Sequence, residues 1–334
     1  MSILKKIWSR SKRKAAYLSG DARHVLGLDK ELYQNARGSR IILYHNVCKG
    51  DPHKFNTLFL TCERFEEHLQ YYKKYFNVVS LDDYYAGRFN NNKFNICLTF
   101  DDGLANNYHY VLPLLTKYRI PATFFVTAIS DAGFDILWND MLSIAGYYGP
   151  EKFIYKNQTY RKNRNNKYVD ESGTSYAEKL RSKGFNEKAA LLSFLGQLTG
   201  FKTKRQDEDY WLQMTPAQIR TMARSAYVTI GAHGYYHNDL ARIHPANAAG
   251  EMTMCKEYLE NITGKQISSF AFPYGSYNDQ VLAHAKEAGY TQLLATDFIK
   301  QEDGQDNTLR ERFTVNPFIS TPNQLNAIIR GKYA

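Results

Sequence analysis

A chain of 334 residues with 43% hydrophobic content can bury a sizeable core, and its length fits one large α/β domain with insertions or two ordinary domains. No segment reaches the roughly 18 uninterrupted apolar residues of a membrane span. The basic N-terminus lacks the apolar stretch and small-residue cleavage site of a secretory leader, so the expected location is cytoplasmic or peripheral on the cytoplasmic membrane face.

The formal charge of +10 is unevenly placed. Residues 1–24 hold seven Lys/Arg and one Asp, and residues 151–209 hold thirteen Lys/Arg against eight Asp/Glu. Such a field suits anionic lipid headgroups, a lipid- or nucleotide-linked glycan, or nucleic acid. No recognition motif accompanies the last, so nucleic acid is set aside. Ile3, Leu4, Ile7 and Trp8 recur at helical spacing among basic residues, the pattern of a helix in a membrane interface; the plainer reading is a solvated basic arm. Cys48, Cys62, Cys97 and Cys255 show no paired spacing and read as free thiols.

In chain order, residues 1–39 form a basic extension. Ile41 to Tyr44 reads as a strand leading into His45, Phe65 to Tyr75 as a helix, and Val78 to Leu81 as a strand followed by a helix. Asn95 to Phe100 is an apolar strand that ends in Asp101-Asp102-Gly103. A helix from Tyr108 to Tyr118 and a buried strand from Ile120 to Val126 follow. Between about 131 and 214 the rhythm breaks into a polar, tyrosine- and asparagine-rich passage with one clear helix, Asn186 to Leu198, and this is read as an insertion into a domain spanning 40–334. Thr215-Pro216-Ala217-Gln218 carries the cap, proline and glutamine of a helix start. Strands at Tyr227 to Ile230, Ile267 to Phe272 and Gln292 to Ala295 then alternate with helices at Ala246 to Ile262 and Asn278 to Ala288. Six to eight such βα units predict a parallel barrel whose C-terminal strand ends gather the functional residues.

Two adjacent carboxylates at the end of a buried strand are costly unless a cation shares the site, although such a pair also caps helices. His233 and His237, four residues apart after another strand, can aim both rings at one point, or be solvated or core histidines. Read together, the two stretches give a two-histidine, one-carboxylate set with open positions, suited to zinc and tolerant of cobalt, nickel or iron. The neighbouring carboxylate is then available to take a proton from water.

Thr99-Phe100-Asp101-Asp102-Gly103, His233 to His237 with Asn238-Asp239-Leu240, and Phe272-Pro273-Tyr274-Gly275 resemble, in order, three motifs of the polysaccharide deacetylases of carbohydrate esterase family 4. Leu43-Tyr44-His45-Asn46-Val47 looks like the N-terminal segment of its permuted subgroup, which includes poly-N-acetylglucosamine deacetylases. The resemblance implies an irregular (β/α)7 barrel that removes acetyl groups from amino sugars. It makes Asp101 the catalytic base, Asp102, His233 and His237 the metal ligands, the Tyr274 backbone N–H an oxyanion donor, and His45 the general acid. Ala271 stands where many members carry an arginine that partners the base. Arg312, in Glu311-Arg312-Phe313-Thr314-Val315 on a later strand, is the alternative source of a guanidinium, or forms a structural salt bridge. Phe272, Pro273, Trp138 and Trp211 are taken as candidates to bind substrate, and a barrel that binds glycan without turnover is the rival reading.

Overall fold

The computed structural model describes residues 3–55 and 57–334, with side chains from residue 11 onward. Helix α1 (Ile3–Val25) gives the N-terminal extension a helical form. The stripe of Ile3, Leu4, Ile7 and Trp8 lies outside the residues whose side chains are described. Downstream, Tyr17, Gly20, Asp21 and His24 are half-buried while the rest of the described helix is exposed. This face meets the C-terminal helix, where Asn323 donates to the Tyr17 carbonyl at 3.0 Å.

Nine parallel strands build the main sheet: β1 (Gly38–Tyr44), β2 (Asn77–Val79), β3 (Phe94–Phe100), β4 (Ala122–Val126), β5 (Val228–Ala232), β6 (Ser269–Ala271), β7 (Gln292–Leu294), β8 (Leu309–Arg310) and β9 (Phe313–Thr314). The order is β8-β7-β6-β5-β4-β3-β1-β9, with β2 added beside β3. Only Glu311 and Arg312 separate β8 from β9, yet β8 pairs with β7 and β9 with β1. The two short pieces therefore act as one seventh stave, split at Arg312, and the sheet curls round upon itself as the expected (β/α)7 barrel.

All seven residues of β3 are buried, as a parallel strand covered on both faces requires. In register across β1, β3 and β4, Tyr44, Phe100 and Phe124 stack with centroids 5.1 and 4.9 Å apart. Phe65 of α2 (Cys62–Tyr75) closes on this row edge-on. The period of two along a strand then turns the next residues, His45 and Asp101, to the opposite side. Gly231 of β5 has no room for a Cβ, which would meet the Phe125 ring and the Ser269 hydroxyl at 2.5 Å, so the strands around the second motif approach closely.

The sequence reading placed one helix from Tyr108 to Tyr118. The segment opens as a π-helical turn, Asn107–Val111, before α3 (Leu112–Tyr118), whose first turn holds Pro113 where no intrahelical N–H is lost.

The stretch from about 131 to 214, expected as an insertion, is more structured than its composition suggests. It contains α4 (Trp138–Tyr148), an antiparallel sheet of Lys152–Tyr155, Gln158–Lys162 and Tyr168–Val169, α5 (Tyr176–Arg181) and α6 (Phe185–Thr199). Trp138, Phe153, Tyr160, Tyr176, Leu195 and Trp211 belong to a buried cluster of its own. No helix of the described residues is long and apolar enough to cross a membrane.

Candidate functional site

Four strand ends deliver the expected residues to one cavity of about 120 Å3, lined by His45, Asp101, Asp102, His233, His237 and Tyr274 together with Asn139 and Thr296. The Asp101 N–H bonds to the Tyr44 carbonyl at 3.1 Å and the His233 N–H to the Val126 carbonyl at 3.0 Å, so both residues prolong the strand ladder. After Asp101 the chain turns sharply. Asp102 has φ +75° and Gly103 φ +74°, and a Cβ on Gly103 would lie 2.8 Å from Val126. His237 (φ +55°) and Tyr274 (φ +62°) share this left-handed conformation, which side-chain-bearing residues adopt only when their surroundings hold them there.

Asp102 Oδ1 lies 3.2 Å from His237 Nε2 and 3.5 Å from His233 Nε2. The three ligand atoms fall within 4.8 Å of one another and all three residues are buried. His233 Nδ1 is 2.8 Å from the Ala271 carbonyl, an acceptor only, so this nitrogen carries the proton and donates. With the ring neutral, Nε2 turns a lone pair toward the carboxylates and is open to a cation; with the ring protonated, it donates to Asp102 instead. The donor set therefore fits a divalent metal.

The electrostatics follow from these contacts: burial lowers the pKa of His233, but the charges of Asp101 and Asp102 and its hydrogen bonds outweigh burial and raise it. Burial alone would raise the pKa of Asp102, but hydrogen bonds and charge from the two histidines hold it well below the carboxylate range. Burial lowers the pKa of His237, favouring the neutral ring a metal needs.

Asp101 faces Arg312 in a two-pronged pair, Nη1 to Oδ1 at 2.7 Å and Nη2 to Oδ2 at 2.8 Å. Neither side chain is appreciably exposed. Burial pushes the Asp101 pKa up; the guanidinium charge, His233 and the hydrogen bonds outweigh it, and the carboxyl stays below its ordinary value. Arg312 also donates from Nε to the Ala295 carbonyl at 3.3 Å.

The structure separates the remaining candidates from the cavity. Phe272 is fully buried against Phe270 and Tyr277, and Pro273 lies buried beside Gly234. Trp211 packs on Phe201 inside the insertion. Trp138 sits behind the site, its indole N–H donating to the His237 carbonyl at 3.0 Å. All four are apolar enough to be drawn into a core, and none lines the cavity.

Sequence reasoning missed Asn139 and Asp140, which open α4 next to Trp138. The only available signal was the polar Asn-Asp pair following that tryptophan. Asn139 lines the cavity, and burial together with the Asp102 charge pushes the Asp140 carboxyl pKa well above its usual range.

Also unforeseen is a largely buried network that ties this stretch to the histidine loop. Arg181 of α5 binds Asp239 from Nε at 2.9 Å and lies 4.5 Å over the Tyr274 ring. Lys188 of α6 donates to the Asn238 side chain, which in turn donates to Glu251 at 2.6 Å.

Comparison with known proteins agrees with this geometry. A family model described as polysaccharide deacetylase matches residues 89–140 and 196–293, and the gap falls within the insertion. The putative polysaccharide deacetylase YxkH of Bacillus subtilis is 26% identical over 107 residues, 32% of this chain and 38% of that relative, so the match spans well under half of either protein. Among solved structures, the Streptococcus pyogenes deacetylase PplD, determined with acetate, superposes with a TM-score of 0.56 at 19% identity, covering 88% of this chain and 99% of its own. The putative polysaccharide deacetylase BA0330 of Bacillus anthracis gives 0.54 at 19% identity, covering 88% and 69% respectively. These likenesses show the same fold. With the family model matched from β3 through to β7 and the motifs brought to one cavity, the chain carries a polysaccharide deacetylase domain of the carbohydrate esterase family 4 type.

Proposed function

We propose that this protein hydrolyses N-acetyl groups on an amino sugar of a polysaccharide or glycan precursor, N-acetylglucosamine being the unit implied by the motifs. The observation that carries the reading is the pairing of Asp101 with Arg312 beside the buried set of Asp102, His233 and His237 in one cavity. A divalent cation on that set, zinc first by its mixed nitrogen and oxygen donors, with cobalt, nickel or iron also accommodated, would acidify a water and polarise the acetamido carbonyl.

Asp101, kept ionised by Arg312, accepts a proton from the attacking water. The same guanidinium fixes the plane of the carboxylate, so the base is oriented before substrate arrives. The Tyr274 backbone N–H donates to the oxyanion as the carbonyl carbon becomes tetrahedral, a contribution of about 3 kcal/mol for such donors. His45, on the rim where β1 ends, gives a proton to the departing nitrogen, so that the amine leaves neutral and acetate remains.

The test is acetate release from free, lipid-linked and polymeric N-acetylated sugars by metal-loaded enzyme, run beside metal analysis. Asp101→Asn and His45→Ala are each expected to cut kcat by at least about 100-fold while the bound metal stays stoichiometric. Glycan binding with no acetate released from any substrate would replace this reading with that of a non-catalytic glycan-binding barrel.

A further inference from the structure

Helix α1 turns two faces in different directions. Tyr17, Gly20, Asp21 and His24 meet the body, where Asp21 accepts from the Ser320 hydroxyl and, at 2.8 Å, from the Asn323 amide. At about 100° per residue, Ala15, Leu18, Ala22 and Val25 form a stripe about 80° wide whose centre is turned about 130° from that contact. All four are exposed. In the sequence, Leu4 and Ile7 continue the same period upstream. The apolar surface runs on past the helix through Leu26 and Leu28.

Leu18, Val25, Leu26 and Leu28 are 60%, 85%, 71% and 56% exposed. Of the eleven exposed large hydrophobics among the described residues, these four fall between positions 18 and 28. Single exposed leucines are ordinary on a protein surface, whereas a contiguous group marks a place of contact.

The charge around the stripe is of one sign. Lys14 borders it on one side, with Lys12 and Arg23 on the other, and all three are exposed. Beside Arg23 a cleft of about 310 Å3 lies between α1 and the C-terminal helix (Thr321–Arg330), and its lining adds Arg330 and Lys332 with no Asp or Glu among the described residues. Asp21, the one acid within α1, faces the body, and the nearly buried Asp29 reaches Arg23 only at 3.7 Å.

An apolar stripe rimmed by cations matches the interface of an anionic lipid bilayer, where leucine and valine enter the acyl boundary and lysine and arginine meet the phosphates. A second copy of the chain fits poorly, because packing stripe on stripe brings the two sets of cations together. No described helix is long and apolar enough to cross the bilayer, so α1 lies along its surface.

We propose that the outer face of α1, with the turn at residues 26–28, is a docking surface for an anionic lipid bilayer. This contact is independent of the chemistry in the barrel, and the deacetylase reading is untouched by its success or failure.

The experiment is cosedimentation of the full chain with vesicles of phosphatidylcholine containing about one-third phosphatidylglycerol, beside vesicles of phosphatidylcholine alone. The wild type is expected to bind the anionic vesicles, and to bind at least about tenfold more weakly to the neutral ones or when salt is raised from about 0.1 M to about 0.5 M. Leu18→Ser with Val25→Ser should weaken binding by at least about tenfold, and Lys14→Gln with Arg330→Gln by a similar factor. All four side chains are exposed, so the denaturation midpoints of both variants should match the wild type. Equal binding to neutral and anionic vesicles, binding that survives Leu18→Ser with Val25→Ser, or no cosedimentation overturns the proposal. A dimer in sedimentation velocity that is lost in the same variant, with no vesicle binding, assigns the stripe to a second copy instead.

Discussion

Arg312 is a fully buried guanidinium whose desolvation is offset by the Asp101 carboxylate, the Ala295 carbonyl, the Thr99 hydroxyl and the face of the Phe125 ring. Removing one member of such a pair typically costs about 3–5 kcal/mol, because the other charge is stranded in a low dielectric, whereas neutralising both is far milder. Arg312→Met is therefore expected to lower the unfolding free energy by about 3 kcal/mol, and the double variant with Asp101→Asn should recover most of that loss. Denaturant unfolding of the four proteins in the cycle checks this. Full additivity of the two single effects would show that the pair is not energetically coupled. The motif residues were legible because their chemistry is written in consecutive letters after apolar runs. Arg312 was nameable only as an option, since it reaches the base from the far end of the chain. Trp138 and Trp211 show the limit from the other side, because a sequence discloses a large aromatic but not whether it faces a cavity or a core.

At the level of elements, the insertion acts on the site through α5 and α6. Lys188 has no exposed surface, lies 4.6 Å from the Trp138 ring, and meets Asn238, the residue after His237. Burial draws its pKa down to about 8. Outer-shell contacts of this kind typically contribute 10- to 100-fold to metal affinity. Lys188→Met should weaken divalent-ion binding by roughly tenfold, read by competitive metal titration, with the helical circular dichroism unchanged. Unaltered affinity would confine Lys188 to packing. The periodicity of α6 was readable, but the small sheet at 152–169 was not. Lys152–Tyr155 and Gln158–Lys162 bury one residue each, Phe153 and Tyr160, so no alternation emerges from the polar background. The closing stave was foreseen only as a later strand carrying Arg312; its division into two pieces was not, because two-residue pieces leave no period to detect.

For the molecule as a whole, acid sensitivity has an identifiable source away from the site. His68 of α2 is buried against β1, its Nδ1 hydrogen-bonded to the Tyr44 hydroxyl at 2.9 Å, while Tyr44 also bonds Tyr72 at 2.7 Å. Burial, aided by the Arg64 charge, lowers its pKa from 6.5 to about 3. The unfolded chain then takes up a proton below about pH 6.5 that the folded chain refuses until about pH 3. Stability contributed by the neutral ring is thus present above that window and lost progressively within it, by up to about 1.4 kcal/mol per pH unit. His68→Gln should flatten the fall in denaturation midpoint between pH 6 and 4, and an unchanged slope would assign the acid response elsewhere. The barrel class was readable from the alternation of buried strands with capped helices. How the barrel closes was not, because the closure depends on a partner exchange between β8 and β9. The break in that stave is where Arg312 leaves the backbone to grip Asp101, so one side chain serves as both the clasp of the cylinder and the setting of its reactive carboxylate. Opening the barrel along that line would release Asp101 from its guanidinium, so the closure of the cylinder and the setting of that carboxylate are fastened at the same rivet.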